Sequence, residues 1–160
     1  MPEYNEIIPG LILGSLDGLY STTPDTTPDM NLDISTIISV APIEETPLPS
    51  KYINSSCQIE LHRFPVSGKL SIYEIAEMII TIADLIHSKL EKKTSGNGNG
   101  NSNIYIHCYE GVSRSAAAVI YYLVKYCEMD YQSAMEFAKS KRPIINLNEM
   151  MCRVLDYLLE

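Results

Sequence analysis

The chain has no tryptophan, no Cys-x-x-Cys or His-x-x-x-His pair, and no apolar run near the roughly 20 residues that cross a bilayer. Its four cysteines, Cys57, Cys108, Cys127 and Cys152, are scattered without paired spacing. Neither a structural zinc site nor a disulfide framework is therefore expected. Unpaired thiols fit a reducing compartment, cytoplasmic or nuclear. The first twenty residues lack the basic start and long apolar centre of a signal peptide, so export is not expected. Positive charge is also scarce: 12 Lys and Arg against 20 Asp and Glu give a formal net charge of -8. A field of that sign repels nucleic acid and acidic membrane surfaces, and neither is expected as a partner. Such fields fade over about 8 Å at physiological salt, so a local cationic pocket can still capture an anion.

What is present suits one domain. At 160 residues, 46% hydrophobic and 20% charged, the chain can bury most of its apolar surface around a single core. Short β-branched runs alternate with helical patterns, which implies an α/β fold with a mostly parallel central sheet flanked by helices. Strands are expected at Leu11–Leu13, Ile34–Val40, Gln58–Phe64 and Asn103–His107. The run Ile34–Val40 is short and apolar, as in a strand buried on both faces. From Ser71 to about Lys92, Ile72, Ile75, Ala76, Ile79, Ile80, Ala83 and Ile86 recur at helical spacing. Ser71 with Glu74 makes a capping box for that helix. Three further helices are expected: Arg114–Cys127, Tyr131–Lys141 behind the N-cap candidate Asp130, and one reaching Leu159 from an Asn146/Glu149 capping box. Arg142 reads as a cation at a helix C-terminus. Tyr105, Tyr121, Tyr122 and Tyr126 read as packing residues, and His62 and His87 as solvated or structurally partnered.

Two stretches stand apart. Ser21–Asp29 is rich in Thr, Pro and Asp, and Thr94–Asn103 is nearly all Gly, Asn and Ser. The second cannot bury enough apolar area to offset its ordering entropy, and reads as a flexible insertion at 94–103 within one domain spanning 1–160.

The chemistry concentrates in Ile104-Tyr-Ile-His-Cys-Tyr-Glu-Gly-Val-Ser-Arg-Ser-Ala-Ala-Ala118. A buried strand delivers the chain to Cys108, a loop containing Gly111 comes next, and a helix begins near Arg114. Successive amides of a tight loop entering a helix N-terminus point at one spot and make an anion cradle. Here the loop Tyr109, Glu110, Gly111, Val112, Ser113 and Arg114 would supply it. A cysteine at its mouth is favoured as thiolate, with pKa values in such settings of about 3.5–7.5 against about 8.5. Gly111 permits a turn that a side chain would obstruct. Arg114 can clamp two phosphate oxygens with its planar fork. Thiolate, amides and guanidinium around one anion amount to an apparatus for cleaving phosphate esters. Ser113 either shapes the loop or acts in the chemistry.

The order His107-Cys108-x-x-Gly111-x-Ser113-Arg114-Ser115 resembles the dual-specificity branch of the protein tyrosine phosphatases. Ile8–Ser15 is similar to that family's opening strand motif, and Lys141–Asn148 to its late Arg-Pro segment. The resemblance implies a protein tyrosine phosphatase-like fold, a small atypical member, no cofactor or metal, and a phosphorylated protein substrate; a monomer is favoured. It implies that Cys108 attacks phosphorus, Arg114 stabilises the equatorial oxygens and Ser115 donates to the sulfur. His107 would support the loop from behind, as would Asn148, although Leu147 replaces the family's proline. The loop lacks lysine, which disfavours phosphoinositide or RNA 5′-phosphate substrates.

One departure concerns the proton donor. The resemblance implies a general-acid Asp after the strand that reads Glu60-Leu-His-Arg-Phe-Pro-Val66, and the matching position is Gly68. No Asp lies between Asp33 and Asp84. Loss of a general acid costs about 10²–10⁴ in rate, least for good leaving groups. Glu74 is an alternative donor if its loop folds back. Two competing readings remain: a phosphopeptide-binding pseudophosphatase with weak turnover, and sulfur transfer through a cysteine persulfide.

Overall fold

The computed structural model describes residues 2–21, 32–54, 58–94 and 103–160. Cys57, most of the Ser21–Asp29 stretch and most of the 94–103 insertion lie outside the described residues. Among the described residues five strands form one sheet in the order β1-β2-β5-β3-β4: β1 (Tyr4–Ile8), β2 (Leu11–Gly14), β3 (Ile34–Ser39), β4 (Glu60–Arg63) and β5 (Asn103–His107). Only the β1–β2 edge is antiparallel; β2, β5, β3 and β4 run parallel. The β1 edge strand was not expected from sequence. Its polar Glu6 and Asn5 break the apolar pattern, and a tight turn at Gly10 (φ 90°) sets its pairing with β2.

Helices cover both faces. On one lie α3 (Ile72–Thr94), α4 (Arg114–Tyr126), α5 (Tyr131–Lys141) and α6 (Glu149–Leu159). Ile75, Ile79, Ile82 and Ile86 of α3 have no exposed surface, and each contributes roughly 1.5–3 kcal/mol of burial. The short helices α1 (Leu16–Ser21) and α2 (Ser50–Ile53) belong to a smaller cluster with Ile12, Leu19, Ile34, Ile37, Tyr52 and Tyr105. Neither is long enough to show a helical period in the sequence. No helix among the described residues is long and apolar enough to cross a membrane.

The capping box forms as expected: Glu74 N donates to Ser71 Oγ at 3.1 Å and Ser71 N to Glu74 Oε1 at 3.3 Å. Asp130 caps α5 by accepting from Ser133 N at 2.8 Å. The start of α6 differs from expectation. Its N-cap is Asn148, which accepts from Met151 N at 2.9 Å. Asn146 lies before the helix, its amide donating to the Val112 carbonyl at 2.9 Å. Tyr121 and Tyr122 are buried, while Tyr126 stacks on His87 with centroids 3.9 Å apart. His62 lies beside Glu60 at 3.3 Å.

Strand register places the candidate site. His107, the last residue of the central strand, pairs with Gly14 on one side and Ser39 on the other. The chain after His107 therefore leaves at the C-terminal edge of the sheet, between two parallel neighbours, where open α/β sheets bind ligands.

Candidate active site

Cys108 comes directly after β5 and is 3% exposed. The loop then turns through Gly111, whose φ is +72°. A Cβ there would lie 2.3 Å from the Gly14 carbonyl oxygen, so both conformation and space demand glycine. The chain enters α4 at Arg114, which places the Ser115 amide of its first turn at the Cys108 sulfur. Burial pushes the Cys108 thiol up. The Ser115 hydroxyl, the Ser115 and Gly111 amides and the Arg114 charge more than offset this, so its pKa lies below the usual thiol value. Ser115 is fully buried, and its Oγ donates to Cys108 Sγ at 3.2 Å.

Three supports hold the loop. His107 is buried, and burial pushes its pKa down to about 4. Its Nδ1 lies 2.9 Å from the Cys108 carbonyl, which can only accept, so Nδ1 carries the proton. Nε2 then accepts from Ser39 Oγ at 2.7 Å. Asn148 N donates to Ser113 Oγ at 2.9 Å, which gives Ser113 a part in holding the loop. Tyr109, 57% exposed, contributes its carbonyl to Leu16 N at 2.9 Å, and Glu110 points to solvent.

The third support is Arg142, which is no surface cation. It is 1% exposed, and it donates from Nε to the Gly111 carbonyl at 2.8 Å and from Nη2 to the Glu110 carbonyl at 3.0 Å. Its Nη1 reaches Pro2 O at 3.1 Å and Asn5 Oδ1 at 2.9 Å. Burial lowers its pKa. Pro143 ends α5 there, so the side chain passes under the loop instead of meeting the last carbonyls of the helix. Position near a helix end carried no sequence signal for this role.

Arg114 is bound in a way the sequence did not indicate. Its Nη1 donates to the Val66 carbonyl at 2.9 Å and to Glu45 Oε2 at 3.2 Å, and Nη2 reaches Glu45 Oε1 at 3.4 Å. Both side chains line a cavity of about 270 Å³ with Val66, Ser67, Gly68 and Asn148. Glu74 does not line it; its carboxylate is engaged in the α3 cap. A Cβ on Gly68 would meet only Met150 Cε, at 3.7 Å. Among the described residues no group of three His, Cys, Asp or Glu is placed to hold a metal ion.

Residues 19–158 match the family model of the dual specificity phosphatase catalytic domain. The chain belongs to that family. The Drosophila melanogaster dual specificity protein phosphatase MPK-4 is 28% identical over 144 residues, 90% of this chain and 33% of the relative. The Dictyostelium discoideum MAP kinase phosphatase with leucine-rich repeats protein 3 is 47% identical over 45 residues, 28% of this chain. The chain spans 5% of that relative's length. The fold is shared with the human tyrosine phosphatase-like serine/threonine/tyrosine-interacting protein, with a TM-score of 0.72 and 24% identity over 99% of this chain and 96% of that one. Within this dual specificity phosphatase domain, the sheet edge brings Gly111, Ser115 and the Arg114 charge to the Cys108 sulfur. Asn148 reaches the same loop from the far end of the chain.

Proposed function

We propose that the domain hydrolyses phosphate monoesters on proteins, phosphotyrosine and also phosphoserine or phosphothreonine, through a phosphocysteine on Cys108. The observation that carries this is the Ser115 hydroxyl on the Cys108 sulfur at 3.2 Å, in a loop that lowers the thiol pKa. The thiolate attacks phosphorus, a P–S bond forms, and the P–O bond breaks with its electron pair going to the leaving oxygen. The amides of Tyr109 to Arg114 and the Arg114 fork stabilise the charge on the equatorial oxygens, an electrostatic contribution of several kcal/mol. Water then attacks the phosphocysteine, and the Ser115 hydrogen bond stabilises the departing thiolate. Binding alone would need neither the lowered thiol pKa nor Ser115, which favours turnover over a pseudophosphatase. Arg114 and Ser115 likewise suit phosphate better than sulfur transfer.

The exposed carboxylates of Glu45, on Arg114, and of Glu110, in the loop, together with the lack of lysine in the loop, support a phosphoprotein substrate over a polyanionic lipid or an RNA end. Cys108, Cys127 and Cys152 are free thiols. An enzyme that depends on one suits the reducing cytoplasm or nucleus. The test is single-turnover hydrolysis of an aryl phosphate and a phosphoserine peptide by the wild type and Cys108→Ser. Cysteine-dependent release of phosphate is expected. Phosphopeptide binding with no more turnover than in Cys108→Ser would overturn the reading.

A further inference from the structure

Glu45 lies on the loop after β3, in a stretch without sequence signal, yet that loop is held with unusual care. The Glu45 and Thr46 amides both donate to the Pro42 carbonyl, at 3.1 and 3.2 Å. Thr46 is fully buried, and Arg63 from β4 clamps it: Nη1 reaches Thr46 Oγ1 at 2.6 Å and Ala41 O at 2.9 Å, and Nη2 reaches Thr46 O at 3.0 Å. A surface ion pair worth about 0–1 kcal/mol needs no such foundation. What the foundation does is fix the backbone under one carboxylate. That carboxylate is bidentate on Arg114, the geometry a phosphate would use. It also shares the cavity with Gly68, where the acid expected on the neighbouring loop is missing.

We propose that Glu45 is the general acid of this domain, replacing the absent Asp. The proposal rests on the phosphatase reading and extends it to the leaving group. In the free domain the carboxylate is paired with the Arg114 guanidinium. Substrate phosphate takes the guanidinium for itself and sets a dianion beside Glu45. Losing a cation and gaining an anion both favour the protonated carboxyl, so binding loads the proton that the reaction spends. As the P–O bond breaks, that proton passes to the leaving oxygen and Glu45 becomes a carboxylate. In the second step the carboxylate takes a proton from the attacking water, and the P–S electron pair returns to Cys108. Of the described residues lining the cavity only Glu45 and Arg114 carry charge; behind the turn stand Glu44 and Arg63.

The experiment compares Glu45→Gln with wild type on a phosphoserine peptide and on an activated aryl phosphate whose phenol leaves without a proton. Expected is a loss of about 10²-fold or more in kcat on phosphoserine and much less on the aryl ester. The fall of kcat on phosphoserine at high pH should vanish in the variant, because an acid must be protonated to act. Gly68→Asp in the Glu45→Gln background, for which the site has room, should restore part of the phosphoserine rate. Equal losses on both substrates would make Glu45 a holder of Arg114 and overturn the proposal, as would no loss at all. If wild type itself shows no cysteine-dependent turnover of the aryl ester, the phosphatase reading fails instead and this proposal falls with it.

Discussion

Arg142 Nε donates to the Gly111 carbonyl at 2.8 Å, from a side chain with 1% of its surface exposed. A residue late in the chain thus holds the turn of the Cys108 loop, and also ties to it the first strand through Asn5 and the segment before that strand through Pro2. Burying a guanidinium is costly unless its donors are used; here all three nitrogens bond.

Replacing Arg142 with Met should leave the Glu110 and Gly111 carbonyls without partners. Each unsatisfied buried group costs about 1–3 kcal/mol. Urea unfolding should show a loss of several kcal/mol, and kcat/KM should fall further than residual folding explains. Arg142→Lys should recover little, since an ammonium cannot span acceptors on both sides. A variant with wild-type unfolding and kinetics would contradict the role.

The lowered pKa of Cys108 predicts that alkylation by iodoacetamide reaches half its maximal rate at a pH below that of an ordinary thiol. Removing one favourable hydrogen bond moves the value up, so Ser115→Ala should shift that midpoint to higher pH. The same substitution should slow phosphocysteine hydrolysis about 10–100-fold, the equivalent of one hydrogen bond to a charged group. Phosphoenzyme should then accumulate in acid-quenched samples. An unchanged alkylation profile would leave Ser115 without a role at the sulfur.

His107 imposes an acid limit on the fold. Its pKa is about 4 when folded against 6.5 for an ordinary histidine, so the unfolded chain binds the proton more tightly. Stability therefore rises with pH in this window. The contribution, about 3 kcal/mol, is fully present above pH 6.5 and is lost progressively as pH falls toward 4. Urea midpoints measured across that range should decline. His107→Asn should flatten the decline, while a slope unchanged by the substitution would assign it to other groups.

Glu74→Ala separates the two candidate proton donors. It removes one half of the α3 capping box, and stability should fall by about 0.5–2 kcal/mol. Phosphoserine turnover should stay within about twofold of wild type, because the residue lies off the cavity. A large kinetic loss with little change in stability would return Glu74 to the chemistry.

The elements most legible in the sequence were those with long periods or local caps. The isoleucine repeat of α3 and the Asp130 cap of α5 each involve residues within a few positions, and both are present as expected. The loop from His107 to Ser115 was legible for the same reason: strand, cysteine, glycine and helix start succeed one another, so local order implies a local cradle. β1, α1 and α2 were not, being too short to repeat and dependent on the sheet edge or the smaller core cluster for their burial. The α6 cap fell on Asn148 and not on Asn146, whose amide meets Val112 more than thirty residues away, a contact with no local signal.

The sequence alone therefore determined the mostly parallel α/β plan and the local order of strand, cysteine, glycine and helix start, since each depends on periodicity or spacing along the chain; its motifs carried the resemblance to the family. Only the tertiary structure decided what surrounds that loop. Arg142, Ser39 and Glu45 reach it from separate elements, across sequence distances at which no pattern links one side chain to another. Their roles depend on which strands pair and where the chain re-enters the sheet edge. That is set by burial and hydrogen bonding over the whole domain.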